Sequence, residues 1–388
     1  MVQLDRGMQM VQRRNAVPAP KRQRMSINSK FWRGKRVLLT GHTGFMGGWL
    51  TVTLAELGAK VIGYALEPPT TPSFFHTLEL GRHLEADIRG DVRDLSKLSD
   101  TCRKHAPEIV FHLAAQPLVR EAFRTPAETF DVNVMGTANL LEAARSIQGI
   151  RSIVVVTSDK VYDNVEWEWD YRENDRLGGR EPYGVSKACA ELVVDAYRMS
   201  FLAERGVGVA TVRAGNIVGG GDWAAERLIP DIARAFSAGA TLVIRNPAAT
   251  RPWQHVLEPV RGCLALAESL VDEPGQFSGA WNFGPPRDNQ KPVSWIVQRC
   301  AALWDEDAAW KVESGAQPYE AQRLGLTSSK AETRLGWKAN WDIETTLAQT
   351  IDWYRAMLAG RNMLAFTRAQ IAQAIPAEAE ELLLGSAG

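Results

Sequence analysis

One order of segments restricts the fold more than anything else in the chain. The β-branched run RVLLT at 36–40 enters the glycine-spaced turn Gly41-His42-Thr43-Gly44-Phe45-Met46-Gly47 and continues as a helical stretch. Three further apolar runs, KVIGYAL at 60–66, EIVFHLAA at 108–115 and SIVVVTSDKVY at 152–162, alternate with segments whose apolar residues recur at helical spacing, among them WLTVTLAELG and LSKLSDTCRKH. Strands that alternate with helices predict a doubly wound parallel sheet. Runs that are almost wholly apolar predict strands covered on both faces.

The expected organisation is therefore α/β, a Rossmann-like doubly wound parallel sheet with a smaller C-terminal substrate-binding lobe. The sheet domain is expected over 31–213, with a segment near 253–283 returning to it. Beyond Arg213 the character changes to turns rich in Gly, Trp and Pro, as in GNIVGGGDW and NPAATRPWQHV, and the lobe is expected over 214–360. A helical tail over 361–388 should follow. Residues 1–30 carry seven Arg and Lys against the single acid Asp5, with no apolar periodicity. They are expected to form a disordered extension, read either as an Arg-rich, acid-poor transit peptide or as residues upstream of a natural start at Met25.

Bulk properties exclude several functions. Formal net charge is zero and 45% of the 388 residues are hydrophobic, which disfavours both nucleic-acid affinity and gross disorder. The four cysteines are far apart with no CxxC pair, so neither a disulfide framework nor a metal site is expected and a reducing cytoplasm fits. No apolar run approaches the ~18 to 20 residues of a membrane span, and no signal-peptide core stands at the start.

At a strand-to-helix turn, Gly41, Gly44 and Gly47 allow a tight bend and a close backbone approach to a pyrophosphate. The helix N-terminus beyond them offers free N–H groups and a positive dipole end. A dinucleotide site is the reading. An acid about 20 residues further on should hold the adenosine ribose, and Glu67 is nearest by count. No Arg or Lys lies between Lys60 and Arg82 to receive a 2′-phosphate, so NAD is preferred over NADP. Asp91 is either a partner for the adenine amino group or a solvated turn aspartate.

Tyr183 and Lys187 form YxxxK on a helical stretch, where positions i and i+4 share a face. A lysine ammonium there favours the phenolate, which can take a proton from a sugar hydroxyl while hydride departs. Of the seven tyrosines, only Tyr183 has Lys four residues on. The strand SIVVVTSDK delivers Thr157, Ser158, Asp159 and Lys160 at its C-terminal end, where open α/β sheets bind ligands. The Ser158 hydroxyl can orient phenol and sugar. Asp159 and Lys160 exceed what a simple dehydrogenase needs, and read either as further proton-transfer groups or as a surface salt bridge.

With these motifs in hand, the chain resembles the CDP-glucose 4,6-dehydratase family of the extended short-chain dehydrogenase/reductases. The resemblance covers about Met25 to Tyr354 and rests on GHTGFMGGWL, HLAAQPLVR, TSDKVY, YRENDRLGGREPYGVSKACAELV, RAGNIVGGGDWAAERLIPD and RPWQHVLEP. It implies NAD as cofactor, CDP-glucose as substrate and a 4-keto-6-deoxy sugar as product. Tyr183 would take the 4-hydroxyl proton and Asp159 would protonate the departing 6-hydroxyl. Related dTDP-glucose dehydratases carry Glu where this chain has Lys160, so Lys160 is either a neutral base at C5 or a cation that stabilises the enolate while water takes the proton.

The resemblance further implies that Thr43, Phe45, Met46, Val92, Leu113, Ala114, Ala115, Gln116, Asn133 and Thr157 line the cofactor. Gln116, Ser158, Asn216, Asp222, Trp223, Arg251 and Gln254 would meet the sugar nucleotide, with Asn216 and Arg251 at its pyrophosphate. The helices around 126–148 and 183–204 would build a homodimer, or the dimer unit of a tetramer. A 4-epimerase of the same fold needs the glycine loop and YxxxK but no acid for elimination, which Asp159 supplies. A catalytically silent NAD-binding regulator leaves Tyr183, Lys187 and Asp159 without a purpose.

Overall fold

The computed structural model describes residues 25–304, 308–313 and 323–376. At its centre is a seven-stranded sheet in which every pairing is parallel. Its strands are β1 (Arg36–Thr40), β2 (Lys60–Ala65), β3 (Ala86–Arg89), β4 (Ile109–His112), β5 (Ser152–Val156), β6 (Gly208–Arg213) and an edge strand, Gly279–Asn282. From one edge the order is β3, β2, β1, β4, β5, β6 and the edge strand, so the winding reverses between β1 and β4. A crevice opens at that switch point, outside the carboxyl ends of the strands.

The alternating side chains of each strand sort onto two faces. On β1, Val37 and Leu39 join a core shared with the helices Phe45–Glu56 and Leu257–Asp272. Leu38 joins a second core with the helices Leu95–His105, Gly136–Arg145 and Pro182–Tyr197. On β4, Ile109 and Phe111 take the first face and Val110 the second. Because both faces are covered, these strands carry no polar alternation. The strand β3 is the exception: it sits at the edge, is only partly buried, and reads ADIR.

The chain returns to the sheet after the turn-rich region, since Leu257–Asp272 packs on β5 and the edge strand pairs with β6. Three small ladders shape the remaining lobe: Ile217–Val218 with Gln254–His255, Thr250–Pro252 with Gln290–Pro292, and Leu242–Ile244 with Trp310–Val312. Among the described residues, no helix is long and apolar enough to cross a membrane.

One boundary differs from the sequence expectation. Residues 1–24 and 377–388 lie outside the described residues, but the stretch from Met25 to Lys30, assigned to an unpacked extension, belongs to the body. Ile27 and Trp32 are buried, Ser29–Trp32 is a helical turn capped by Asn28, and the Trp32 indole donates to Glu268 at 2.6 Å. The interval is too short for a period to show. Its anchor, Glu268, lies 236 residues away.

Candidate active site

A cleft of about 1240 Å³ lies at the carboxyl ends of the strands, and both lobes line it. Its floor at the switch point is built by hydrogen bonds: the Thr40 hydroxyl meets His112 Nδ1 at 2.7 Å and accepts the backbone N–H groups of Leu113 and Ala114. His112 is fully buried, and burial with the nearby Lys187 charge lowers its pKa to about 3. Both effects hold the imidazole towards its neutral form.

Gly41, Thr43, Gly44, Phe45, Met46 and Gly47 line the cleft. Gly44 caps the helix Phe45–Glu56 with no side chain of its own, leaving the first N–H groups of the helix aimed at open space. A Cβ at Gly47 would overlap the Gly41 carbonyl, so this turn closes only with glycine there. An unobstructed helix N-terminus under a tight turn fits the pyrophosphate of a dinucleotide.

Glu67, Asp91, Val92, Leu113, Ala114 and Ala115 line the same side. Glu67 is not alone, because the β2–β3 register pairs Ala65 with Arg89 and brings the Arg89 Nε atom to 3.1 Å from the Glu67 carboxylate. The stretch between Lys60 and Arg82 does hold no cation, but strand pairing supplies one from outside it. Asp91 accepts from the backbone and side chain of Arg93, and those bonds hold its carboxyl below the usual range.

Tyr183 and Lys187 face the cleft from the helix Pro182–Tyr197, whose start is set by Pro182 at its first position and by Glu181, which accepts from the N–H groups of Tyr183 (2.7 Å) and Gly184 (2.8 Å). Burial pushes the Tyr183 phenol up to about 12, while the Ser158 hydroxyl and the Arg227 charge pull against that rise. Burial lowers Lys187 to about 8, opposed by the Glu191 carboxylate, and its ammonium donates to the Val156 carbonyl at 3.2 Å. Of the charges that act on the Tyr183 phenol, Arg227 favours loss of its proton, and Asp159 and Glu181 oppose it.

Asp159 and Lys160 follow β5 in a tight turn, and both line the cleft. Asp159 is buried, and burial raises its pKa against the opposing pull of Lys160, Ser158 and Arg251. Ser158 Oγ donates to Asp159 Oδ1 at 3.1 Å. A Cβ at Gly215 would overlap this carboxylate, so the glycine after Ala214 makes its room. A carboxyl held towards its protonated form beside a phenol is arranged to donate a proton while the phenol accepts one.

On the second lobe, Asn216, Asp222, Trp223 and Arg251 line the cleft. Asn216 holds a left-handed backbone, φ 44°, a conformation asparagine tolerates. The Asp222 carboxylate accepts from Arg227 at 3.0 Å and orients that guanidinium in the cleft. The Trp223 Nε1 atom is buried and has no hydrogen-bond partner among the described residues.

Four expected contact residues turn elsewhere. Gln254 is buried and its amide donates to the carbonyls of Gly215 and Phe283. Asn133, in the π-helical turn Asp131–Met135, accepts from the Gln116 backbone and donates to Ser186, while the Gln116 amide is held by Leu118 and Thr129. The Thr157 hydroxyl, at the edge of the cleft, points to Glu191 at 2.6 Å.

Arg227 and Arg245 join Arg251 in the cleft without having been singled out from the sequence. Arg227 lies within the ERLIPD stretch five residues after Asp222, a spacing that could have marked it; nothing in the sequence marks Arg245.

Comparison with known proteins agrees with this geometry. The family described as GDP-mannose 4,6 dehydratase matches residues 38–350. The CDP-glucose 4,6-dehydratase of Salmonella typhimurium is 49% identical over 350 residues, covering 89% of this chain and 97% of the relative. A dTDP-glucose 4,6-dehydratase of Xanthomonas campestris is 26% identical, covering 82% and 92%. Among solved structures, the dTDP-glucose 4,6-dehydratase DesIV of Streptomyces venezuelae, with NAD and TYD bound, superposes with a TM-score of 0.71 at 23% identity, covering 85% of this chain and 99% of that one. The chain therefore belongs to the GDP-mannose 4,6 dehydratase family, the sugar-nucleotide 4,6-dehydratases built on the extended short-chain dehydrogenase/reductase fold.

Proposed function

We propose that the protein is an NAD-dependent hydro-lyase that converts CDP-glucose to CDP-4-keto-6-deoxyglucose. The observation that carries this reading is the buried Asp159, raised towards its protonated form, in one cleft with Tyr183 and Lys187. Choice of the cytidine nucleotide rests on the 49% identity to the Salmonella typhimurium enzyme.

The Gly41–Gly47 turn would hold NAD, which would supply the acceptor for the C4 hydride and its donor to C6. Tyr183 removes the C4 hydroxyl proton, and the Lys187 charge makes the phenolate accessible. Ser158 holds the sugar oxygen and the acid. Asp159 gives its proton to the 6-hydroxyl as water departs, while the C5 proton passes to Lys160 as a neutral base or to water beside its ammonium, and C5 regains a proton when hydride returns to C6. Glu67 holds the adenosine ribose, and Arg251 with Asn216 takes the substrate pyrophosphate through charge-assisted hydrogen bonds.

The enzyme works as a homodimer in the cytoplasm. Phe123, Met135, Leu192, Met199 and Phe201 are exposed on the helical stretches 119–145 and 182–202, which pack together, and an apolar face of this kind supports self-association. All four cysteines are free thiols, which suits a reducing compartment.

The test is incubation of the purified protein and NAD with CDP-, dTDP-, GDP- and UDP-glucose, with products resolved by mass. CDP-glucose loses one water, and the other three turn over far more slowly. Equal dehydration of dTDP-glucose would overturn the nucleotide assignment.

A further inference from the structure

One carboxylate beneath the cleft has no part in the chemistry above. Glu191 follows Tyr183 and Lys187 at the same four-residue spacing, so the three share one face of the helix. It is buried at 3% exposure and takes four hydrogen bonds: Thr157 Oγ1 (2.6 Å), Thr211 Oγ1 (2.7 Å), Arg213 Nε (3.0 Å) and Arg213 Nη2 (2.8 Å). Thr157 immediately precedes Ser158 and Asp159. The other end of the Arg213 guanidinium donates to the Tyr162 hydroxyl at 2.9 Å, just past the Asp159 turn, and Tyr162 donates on to Asn282 of the edge strand.

A buried ion pair is weak as a source of net stability, because desolvating both charges consumes most of the attraction between them. Its geometric effect is large. Here the pair ties the helix carrying the base to the strand end carrying the acid, with one anchor on each side of the Asp159 turn. We propose that Glu191, clamped by Arg213, is a positioning residue for the dehydration: it locks the Tyr183–Lys187 face of the helix onto the end of β5 and steadies the Lys187 ammonium.

The second effect has a definite sign. The charged or titratable groups on Lys187's own helix are Tyr183, Cys189, Glu191, Asp195 and Tyr197; the elements around it add His112 on β4, Asp159 and Lys160 in the turn after β5, Arg213 on β6, and Arg120, Glu121, Arg124, Glu128, Asp131, Glu142, Arg145 and Arg198 on the packed helical stretches. His112 is neutral, and of these groups Glu191 is the one whose charge supports the ammonium. Neutralising Glu191 makes Lys187 release its proton at lower pH, which favours the uncharged phenol–amine pair over phenolate–ammonium at the same proton count.

The proposal rests on the dehydratase reading for its rate arm but not for its titration arm. The variant is Glu191→Gln/Arg213→Met, which removes both charges and so avoids stranding one in the interior. With lysine labelled at Cε, NMR follows the Lys187 titration, its signal assigned by loss in Lys187→Met. The Lys187 transition moves to lower pH in the double variant. With CDP-glucose, kcat falls about tenfold or more while KM stays within about twofold, as expected when reacting groups shift without loss of binding. Glu191→Gln alone, if it folds, shows the same direction.

An unmoved Lys187 transition, or wild-type kcat in a folded double variant, overturns the proposal. If kcat and KM deteriorate together with thermal stability while the titration is unchanged, Glu191 is structural only, which also overturns it. Failure of the wild-type protein to dehydrate CDP-glucose would sink the substrate reading alone, because the titration is read without substrate.

Discussion

Ser158 donates from Oγ to the Asp159 carboxylate at 3.1 Å, and the same hydroxyl opposes the rise in the Tyr183 phenol's pKa. One side chain thus links the proposed proton acceptor at C4 to the proposed proton donor at C6. The consequences can be separated by substitution.

Asp159→Asn separates stability from activity. The Asp159 pKa is raised in the folded protein, so the native state holds a proton that the unfolded chain has released, and stability falls as pH rises from the ordinary carboxylate range through the raised value. Asparagine removes that penalty. The thermal midpoint of the variant should exceed that of the wild type near neutral pH, with the gap closing in acid, while water elimination slows. A gap that widens in acid would contradict the burial argument.

Tyr183→Phe removes the phenol hydroxyl but leaves the apolar contacts and the glycine loop in place. Its kcat should fall on the order of 10² to 10⁴, with NAD affinity nearly unchanged by titration calorimetry. Near-normal turnover would point to another base.

The amino-terminal stretch divides at Met25. A chain starting there should match the full protein in thermal midpoint and kcat. Trp32→Ala should cost about 3 to 5 kcal/mol, because it empties a fully buried site and removes one of the hydrogen bonds that Glu268 accepts. Chemical denaturation measures both; a cost under about 1 kcal/mol would show that the segment contributes little.

Leu192 and Met199 are 60% and 63% exposed and lie about two helical turns apart. The double substitution Leu192→Glu/Met199→Glu should convert a dimer to a monomer by light scattering while leaving the fold intact by circular dichroism. A wild-type monomer would refute the assembly.

How much of this was legible from the sequence depends on what decides each feature. The sheet was legible because two buried faces force apolar runs at β1, β2, β4 and β5, and the turn after β1 is constrained by backbone contacts that glycine alone permits. Tyr183, Lys187, Ser158 and Asp159 could be placed because strand ends and a four-residue helical spacing fix where a side chain begins. Where it points is another matter. Asn133, Gln254 and Thr157 stand at plausible positions, yet each is turned by a buried partner distant in sequence: Ser186, Phe283 and Glu191. Arg89 reached Glu67 through strand register, which a single chain does not display.

The most direct test of the account is the fate of the C4 hydrogen. CDP-glucose deuterated at C4 is incubated with the enzyme and NAD, alone and mixed with unlabelled CDP-glucose, and the product is analysed by mass and NMR. The account predicts CDP-4-keto-6-deoxyglucose with the deuterium at C6 and no exchange of label between molecules. Loss of deuterium to solvent, label shared across the mixed substrates, or a product that retains the 6-hydroxyl would contradict it.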